Sequence, residues 1–148
     1  EKRLDEMSRR LDASYGDEWF ASGNEPSFQI PWIYNWAGAP YKAQQVIRRI
    51  LNEQYSSRVN GLPGNDDLGS MGAWYVFASI GLFPEIPGVG GFSVNSPVFR
   101  KIVLHLPEGD VIIKGGDEKK EYIHSLSLED GGHLDRLVGF ISGGDLGI

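Results

Sequence analysis

The spacing of apolar residues changes once along this chain, near Gly81, and that change limits what the chain can fold into. Before it, apolar side chains recur every three or four residues. Leu4, Met7 and Leu11 keep helical spacing among charges in residues 1–14. Ala43, Val46, Ile47, Ile50 and Leu51 make an amphipathic stripe over residues 40–55. Met71, Trp74, Tyr75 and Ala78 fall at i, i+3, i+4 and i+7 in a helix expected over Ser70–Ile80, with Gly81 as its stop. The aromatic-rich run 28–38 predicts one more short, buried helix with Pro31 in its first turn. Residues 15–23 and 56–65 read as loops, the second with a Gly-Leu-Pro-Gly turn.

After Gly81, a proline-punctuated connection leads into runs that read as strands. These lie at residues 92–94, 101–106, 111–114 and, by strict alternation, 122–128. Glu108-Gly109-Asp110 and Glu129-Asp130-Gly131-Gly132 supply hairpin turns. The expected fold class is α+β, with a helical part over residues 1–88 and an antiparallel β element over 89–148. Each helix carries an apolar stripe that three helices and a small sheet cover only in part, so further helices are expected to cover the rest. The start, Glu1-Lys2-Arg3-Leu4, reads like the inside of a helix, which predicts a fragment of a longer protein.

Composition narrows the function classes. A net charge of −6, with 14 scattered Lys and Arg, argues against a nucleic-acid partner. With no cysteine, disulfides and thiolate-held metals are excluded. No apolar run approaches the roughly 18 residues that span a bilayer.

The stretch Gly64-Asn65-Asp66-Asp67-Leu68-Gly69-Ser70 carries the chemistry. Two adjacent carboxylates sit between glycines directly ahead of a helix. Asp66 or Asp67 can cap that helix, accepting from its unpaired first amides. One cap needs one carboxylate, and the second, among glycines that let a substrate approach the backbone, asks for a function. Glu25, read alone, is a loop acid that pairs with a surface cation.

Two motifs together carry a resemblance: Gly23-Asn24-Glu25-Pro26 with its continuation Ile30-Pro31-Trp32-Ile33-Tyr34-Asn35-Trp36-Ala37-Gly38, and Gly64-Asn65-Asp66-Asp67-Leu68-Gly69-Ser70-Met71-Gly72-Ala73-Trp74-Tyr75. In this order and spacing the chain resembles the C-terminal portion of the glycoside hydrolase family 92 α-mannosidases. The likeness continues through Gly81-Leu82-Phe83-Pro84 to Ser96-Pro97-Val98-Phe99 and is looser over residues 117–148. It implies a calcium-dependent, exo-acting, inverting enzyme, built as an N-terminal β-sandwich joined to an (α/α)6 barrel. This chain would hold the barrel's last helices and a terminal β element.

By that resemblance the Asn65-Asp66-Asp67 turn carries the general base, with Asp67 the first choice and Asp66 the second. Inversion sets acid and base about 6.5–9.5 Å apart so that a water fits between base and sugar. Asn24 and Glu25 match the segment that binds the calcium ion (Ca2+), which takes six to eight oxygen ligands. The general acid would be a glutamate upstream, so the chain alone is expected to be inactive. The implied partners are a mannose-containing glycan and the rest of the parent chain, and the implied location is periplasmic or extracellular. Trp32, Trp36 and Trp74 read as core before sugar platforms. His105, His124 and His133 lack metal-like spacing and read as structural or surface residues. The competing reading is a non-catalytic carbohydrate-binding or interaction module in which the same acids form a structural site. Another (α/α)6 hydrolase of different sugar specificity fits the two motifs less well.

Overall fold

A computed structural model describes residues 1–11, 19–89 and 91–127. Four α-helices come first: α1 (Lys2–Met7), α2 (Ile33–Trp36), α3 (Pro40–Glu53) and α4 (Ser70–Ile80). Two antiparallel pairs follow, β1 (Leu82–Phe83) with β2 (Ser93–Val94), and β3 (Lys101–Leu106) with β4 (Gly109–Lys114). The α+β class expected from the change of period is the class observed, and α4 keeps the bounds its spacing predicts.

The core lies where α3 and α4 meet the aromatic-rich stretch. Pro40 opens α3, where the missing amide hydrogen costs nothing, and Ala43, Val46, Ile47, Ile50 and Leu51 are buried along one face. They pack with Trp32, Met71, Trp74 and Phe83, and Trp32 stacks on Phe83 at 4.8 Å. The stretch around Pro31 is two 3-10 turns, Glu25–Ser27 and Ile30–Trp32, ahead of the single turn of α2. Short tight turns suit a segment with two prolines.

Three expectations are corrected. The first helix ends at Met7, whose carbonyl accepts from the Phe20 amide, and the Leu11 carbonyl accepts from the Ser22 amide. Leu82 and Phe83, read as a connection, form β1, with Leu82 opposite Val94 and Phe83 opposite Ser93. Residues 122–127 make no strand ladder. Their partner is a helix: the Ile123 amide donates to Gln44 Oε1 at 2.8 Å, and Gln45 donates to the Tyr122 hydroxyl. The remainder of the first helical stretch, the Glu129-Asp130-Gly131-Gly132 turn and His133 lie outside the described residues.

Arg48 joins the two kinds of structure. It is buried on α3 and donates to the backbone carbonyls of Ser96 at 3.2 Å, Lys120 at 2.9 Å and Glu118 at 3.5 Å. Burial pushes its guanidinium below its ordinary range. Gly81, at φ 91°, ends α4, and a Cβ there would stand 2.6 Å from the Asn95 carbonyl oxygen. Helix α4 is therefore seated directly on the β2 segment.

Candidate active site

The two motifs, about forty residues apart in sequence, meet backbone to backbone. A Cβ on Gly23 would lie 2.4 Å from the Pro63 carbonyl oxygen, and one on Gly64 would lie 2.3 Å from that of Gly23. No side chain fits between these strands of backbone, so both positions need glycine. Trp74 fastens the same junction from beneath. Its indole nitrogen donates to the Phe28 carbonyl at 3.1 Å, and its ring stacks on Tyr55 at 5.9 Å.

Above this joint the chain turns left-handed at three successive residues: Asp67 (φ 50°), Leu68 (φ 60°) and Gly69 (φ 92°). Only glycine takes this conformation without cost, and each other residue loses about 1–2 kcal/mol. Packing does not compensate at Leu68, whose side chain is 107% exposed. Hydrogen bonds hold the turn instead. The Ser70 amide donates to the Asp67 carbonyl at 3.2 Å, the Met71 amide to the Asp66 carbonyl at 3.2 Å, and the Ser70 hydroxyl to the Asp67 carbonyl at 2.6 Å.

The turn separates the two acids. Asp66 Oδ1 accepts from the Gly72 amide at 3.3 Å, so Asp66 caps α4 although Gly69 stands at the usual cap position. Asp67 is exposed, and among the described residues none donates to its carboxylate. Glu25 is tied to the same turn, its Oε1 accepting from the Ser70 hydroxyl at 3.1 Å. Ser70 thus links Glu25 to the turn that carries Asp67, while Asp66 is taken up by the first amides of α4. Burial first, and the Asp66 charge second, push the Tyr55 hydroxyl well above its ordinary 10.0. Tyr55 stays a neutral donor to the Met71 carbonyl at 3.2 Å.

A profile of the glycosyl hydrolase family 92 catalytic domain matches residues 1–147. The chain belongs to that family. This family 92 chain is 35% identical, over 98 residues, to an uncharacterised secreted glycosidase of Arthroderma benhamiae, a match that covers 66% of this chain and 13% of the relative. Among solved structures it is similar to the family GH92 α-mannosidase BT3965 from Bacteroides thetaiotaomicron, with 35% identity and a TM-score of 0.66 over 75% of this chain and 15% of that one. The complex of the same enzyme with mannoimidazole gives 31% identity and a TM-score of 0.67 over 75% and 16%. The family 92 chain therefore spans less than a fifth of the length of these relatives.

Asn24 and Glu25 offer oxygen donors only, which suits a hard cation such as calcium in kind. They fall short in number, because no group of three acidic or histidine side chains gathers among the described residues. The other expected residues divide by burial. Trp32 and Trp74 are core, while Trp36 is 56% exposed with its indole nitrogen on Glu85 Oε1 at 2.9 Å. His105 and His124 are exposed, and His105 pairs with Asp110 at 2.7 Å. A recess of about 340 Å3 opens elsewhere, against α1 and α3; two of its cations are engaged, Lys42 by Glu1 and Asp5, and Arg49 by Glu53 and the Ser8 carbonyl. Sequence reading missed Ser70 and the facing glycines. A Gly-Asn pair opening both motifs is the signal that points to them.

Proposed function

We infer that this chain carries the general base and part of the cation site of an inverting, exo-acting α-mannosidase. One observation carries the reading: of two adjacent acids, Asp66 is consumed by the helix cap while Asp67 stays exposed in a turn that Ser70 ties to Glu25. An exposed carboxylate on a turn held by backbone hydrogen bonds can accept a proton from water as that water attacks the anomeric carbon. The general acid would come from another part of the parent chain, on the opposite face of the sugar.

Asn24 and Glu25 would hold calcium together with water and sugar hydroxyls. When bound, that cation supplies positive charge against vicinal hydroxyls of the mannose. The parent chain would also cover the outward face of α4, where Tyr75, Val76 and Phe77 are exposed. Family membership and a secreted relative support a glycan substrate met outside the cytoplasm. No helix among the described residues is long and apolar enough to cross a membrane.

The test uses the parent enzyme and an activated aryl α-mannoside. Asp67→Asn should lower kcat by about 10²–10⁴-fold with a smaller change in KM. Asp66→Asn should hurt less, through its cap. A larger loss for Asp66 would reverse the roles, and an unaffected kcat in both would leave the acids as structure in a non-catalytic module. The isolated chain, lacking the acid, should not turn over, and it should bind calcium weakly in a calorimetric titration.

A further inference from the structure

Leu68 stands in costly backbone with no described residue packed against its side chain. Its φ is 60°, and the side chain is fully exposed. Val59 is exposed to the same degree, but among the described non-glycine residues only Asp67 and Leu68 have positive φ. Exposure without strain, as at Val59, marks an ordinary loop. At Leu68 glycine or asparagine would take the left-handed turn at less cost, and glycine does stand at the next position, Gly69. Strain of this kind persists where a site uses it. The surface beside Leu68 is also open. Beyond its chain neighbours, a Cβ on Gly69 would meet no atom within 4 Å. One on Gly72 would meet only Asp66 Oδ1, at 3.9 Å, beyond its neighbours and its own helix backbone.

Position decides what the leucine meets. Consecutive Cα atoms are about 3.8 Å apart, so a group resting on Leu68 lies close to whatever the Asp67 carboxylate acts on. In an inverting reaction the base and its water stand on the face of the anomeric carbon away from the leaving group. The ring nearest the base is therefore the mannose being released, with the leaving group on the far side. A pyranose carries C–H groups among its hydroxyls, and an isobutyl side chain can shield these from water without competing for the hydroxyls' hydrogen bonds. We propose that Leu68 is a substrate-binding residue that packs against C–H groups of the terminal mannose, on the side from which water attacks. This rests on the reading of Asp67 as the base, and it adds the apolar contact that holds the ring against that base. The contact needs no cation.

The experiment uses the parent enzyme with Leu68→Asn and Leu68→Met. Asparagine tolerates the left-handed backbone but is polar, whereas methionine keeps the apolar bulk. Two readouts are taken. The first is kcat and KM on an aryl α-mannoside and on a mannose disaccharide, with free mannose as inhibitor. The second is the protection that mannose gives against thermal unfolding, which needs no turnover. Leu68→Asn should raise KM and the mannose inhibition constant together, by about tenfold or more, with a smaller change in kcat. The factor should be the same for both substrates, because the leaving group is not touched. Mannose should protect Leu68→Asn less than the wild type, the melting temperature without mannose should not fall, and Leu68→Met should recover most of the binding.

Unchanged mannose inhibition and protection in Leu68→Asn overturn the proposal; a lowered melting temperature alongside would mean that the side chain packs on the parent protein instead. A KM raised for the disaccharide alone also overturns it, since the contact would then be to the leaving sugar. The reading of Asp67 fails separately. A kcat unaffected by Asp67→Asn, with mannose protection still lost in Leu68→Asn, removes the base and keeps the contact.

Discussion

Turning left-handed at Asp67 gives two neighbouring carboxylates different work. Asp66 faces back to the Gly72 amide, and Asp67 is left to solvent. Stability should separate them as kinetics does. Asp66→Ala removes a helix cap and should destabilise the chain by about 1 kcal/mol in a urea titration. Leu68→Gly should do the reverse. It relieves a left-handed residue whose side chain touches nothing, worth about 1–2 kcal/mol, against about 0.5–1 kcal/mol of added glycine entropy. A gain of about 0.5–1 kcal/mol is expected, and a loss would mean that Leu68 is held by contacts after all. Neither glycine's role at residue 23 or 64 nor the strain at Leu68 is legible locally. Composition says that glycines flank the acids; only the contact with the other motif says why.

Among the elements, the joint between Gly23 and Gly64 is the most sensitive to size. A single methyl at Gly64 would sit 2.3 Å from the Gly23 carbonyl oxygen, where backbone on both sides cannot yield cheaply. Gly64→Ala should cost about 1–3 kcal/mol and, in the parent, separate Glu25 from the Asp67 turn. A melting curve and a calcium titration on the same sample check both consequences. Helix α1 is attached differently, by charge. Asp5 accepts from Lys42 at 2.7 Å and from the Tyr34 hydroxyl at 3.0 Å. The Lys42 hydrogen bond chiefly holds the Asp5 carboxyl below its ordinary 3.8, and Lys42 is raised in return, first by Asp5 and then by Glu1. A carboxyl whose folded value is depressed stabilises fully above its unfolded value and loses that contribution as pH falls through the folded one. A lysine raised in the fold contributes fully below its unfolded value, near 10.5, so it does not limit the acid side. The tie should therefore hold at neutral pH, begin to weaken below about pH 3.8 and be lost as the pH falls through the lowered Asp5 value. Hydrogen exchange of α1 compared at pH 3 and pH 6, corrected for intrinsic rates, should show the helix loosening in acid. Lys42→Met should abolish that difference.

For the molecule as a whole, Arg48 does what a strand ladder would otherwise do. The chain from Ser96 to Ile123 returns to α3 and is held there by one guanidinium and by Gln44 and Gln45. Arg48→Met keeps most of the apolar stem but removes the charged donor from three carbonyls, leaving those of Ser96 and Lys120 with one side-chain donor each, from Asn95 and Ser96. The loss should be about 3 kcal/mol, measured by urea titration, since bonds from a charged donor are the stronger kind and the site is buried. Arg48→Lys should recover only part, because an ammonium cannot span the three carbonyls as the planar fork does. Retained stability in Arg48→Met would mean that the β segment is held by packing alone.

The sequence by itself determined the helices of the core. The stripe of α3 is written at period 3.6 and buried as written, and on α4 Met71, Trp74 and Ala78 are buried while Tyr75 is left exposed, because burial of apolar area favours whichever face gathers it. It also determined, through two motifs, the family to which the chain belongs. Tertiary structure decided the rest. Alternation over residues 122–127 marks extended chain without naming its partner, and two polar side chains of α3, Gln44 and Gln45, claimed it before any strand could. The division of labour between Asp66 and Asp67 was decided in the same way. Both acids have the same chemistry, and what separates them is the backbone turn set by contacts made from residues 23 to 25 and by the first amides of α4. Periodicity is a property of neighbours in sequence, whereas the aim of a carboxylate depends on which distant backbone lies close enough to fix its turn.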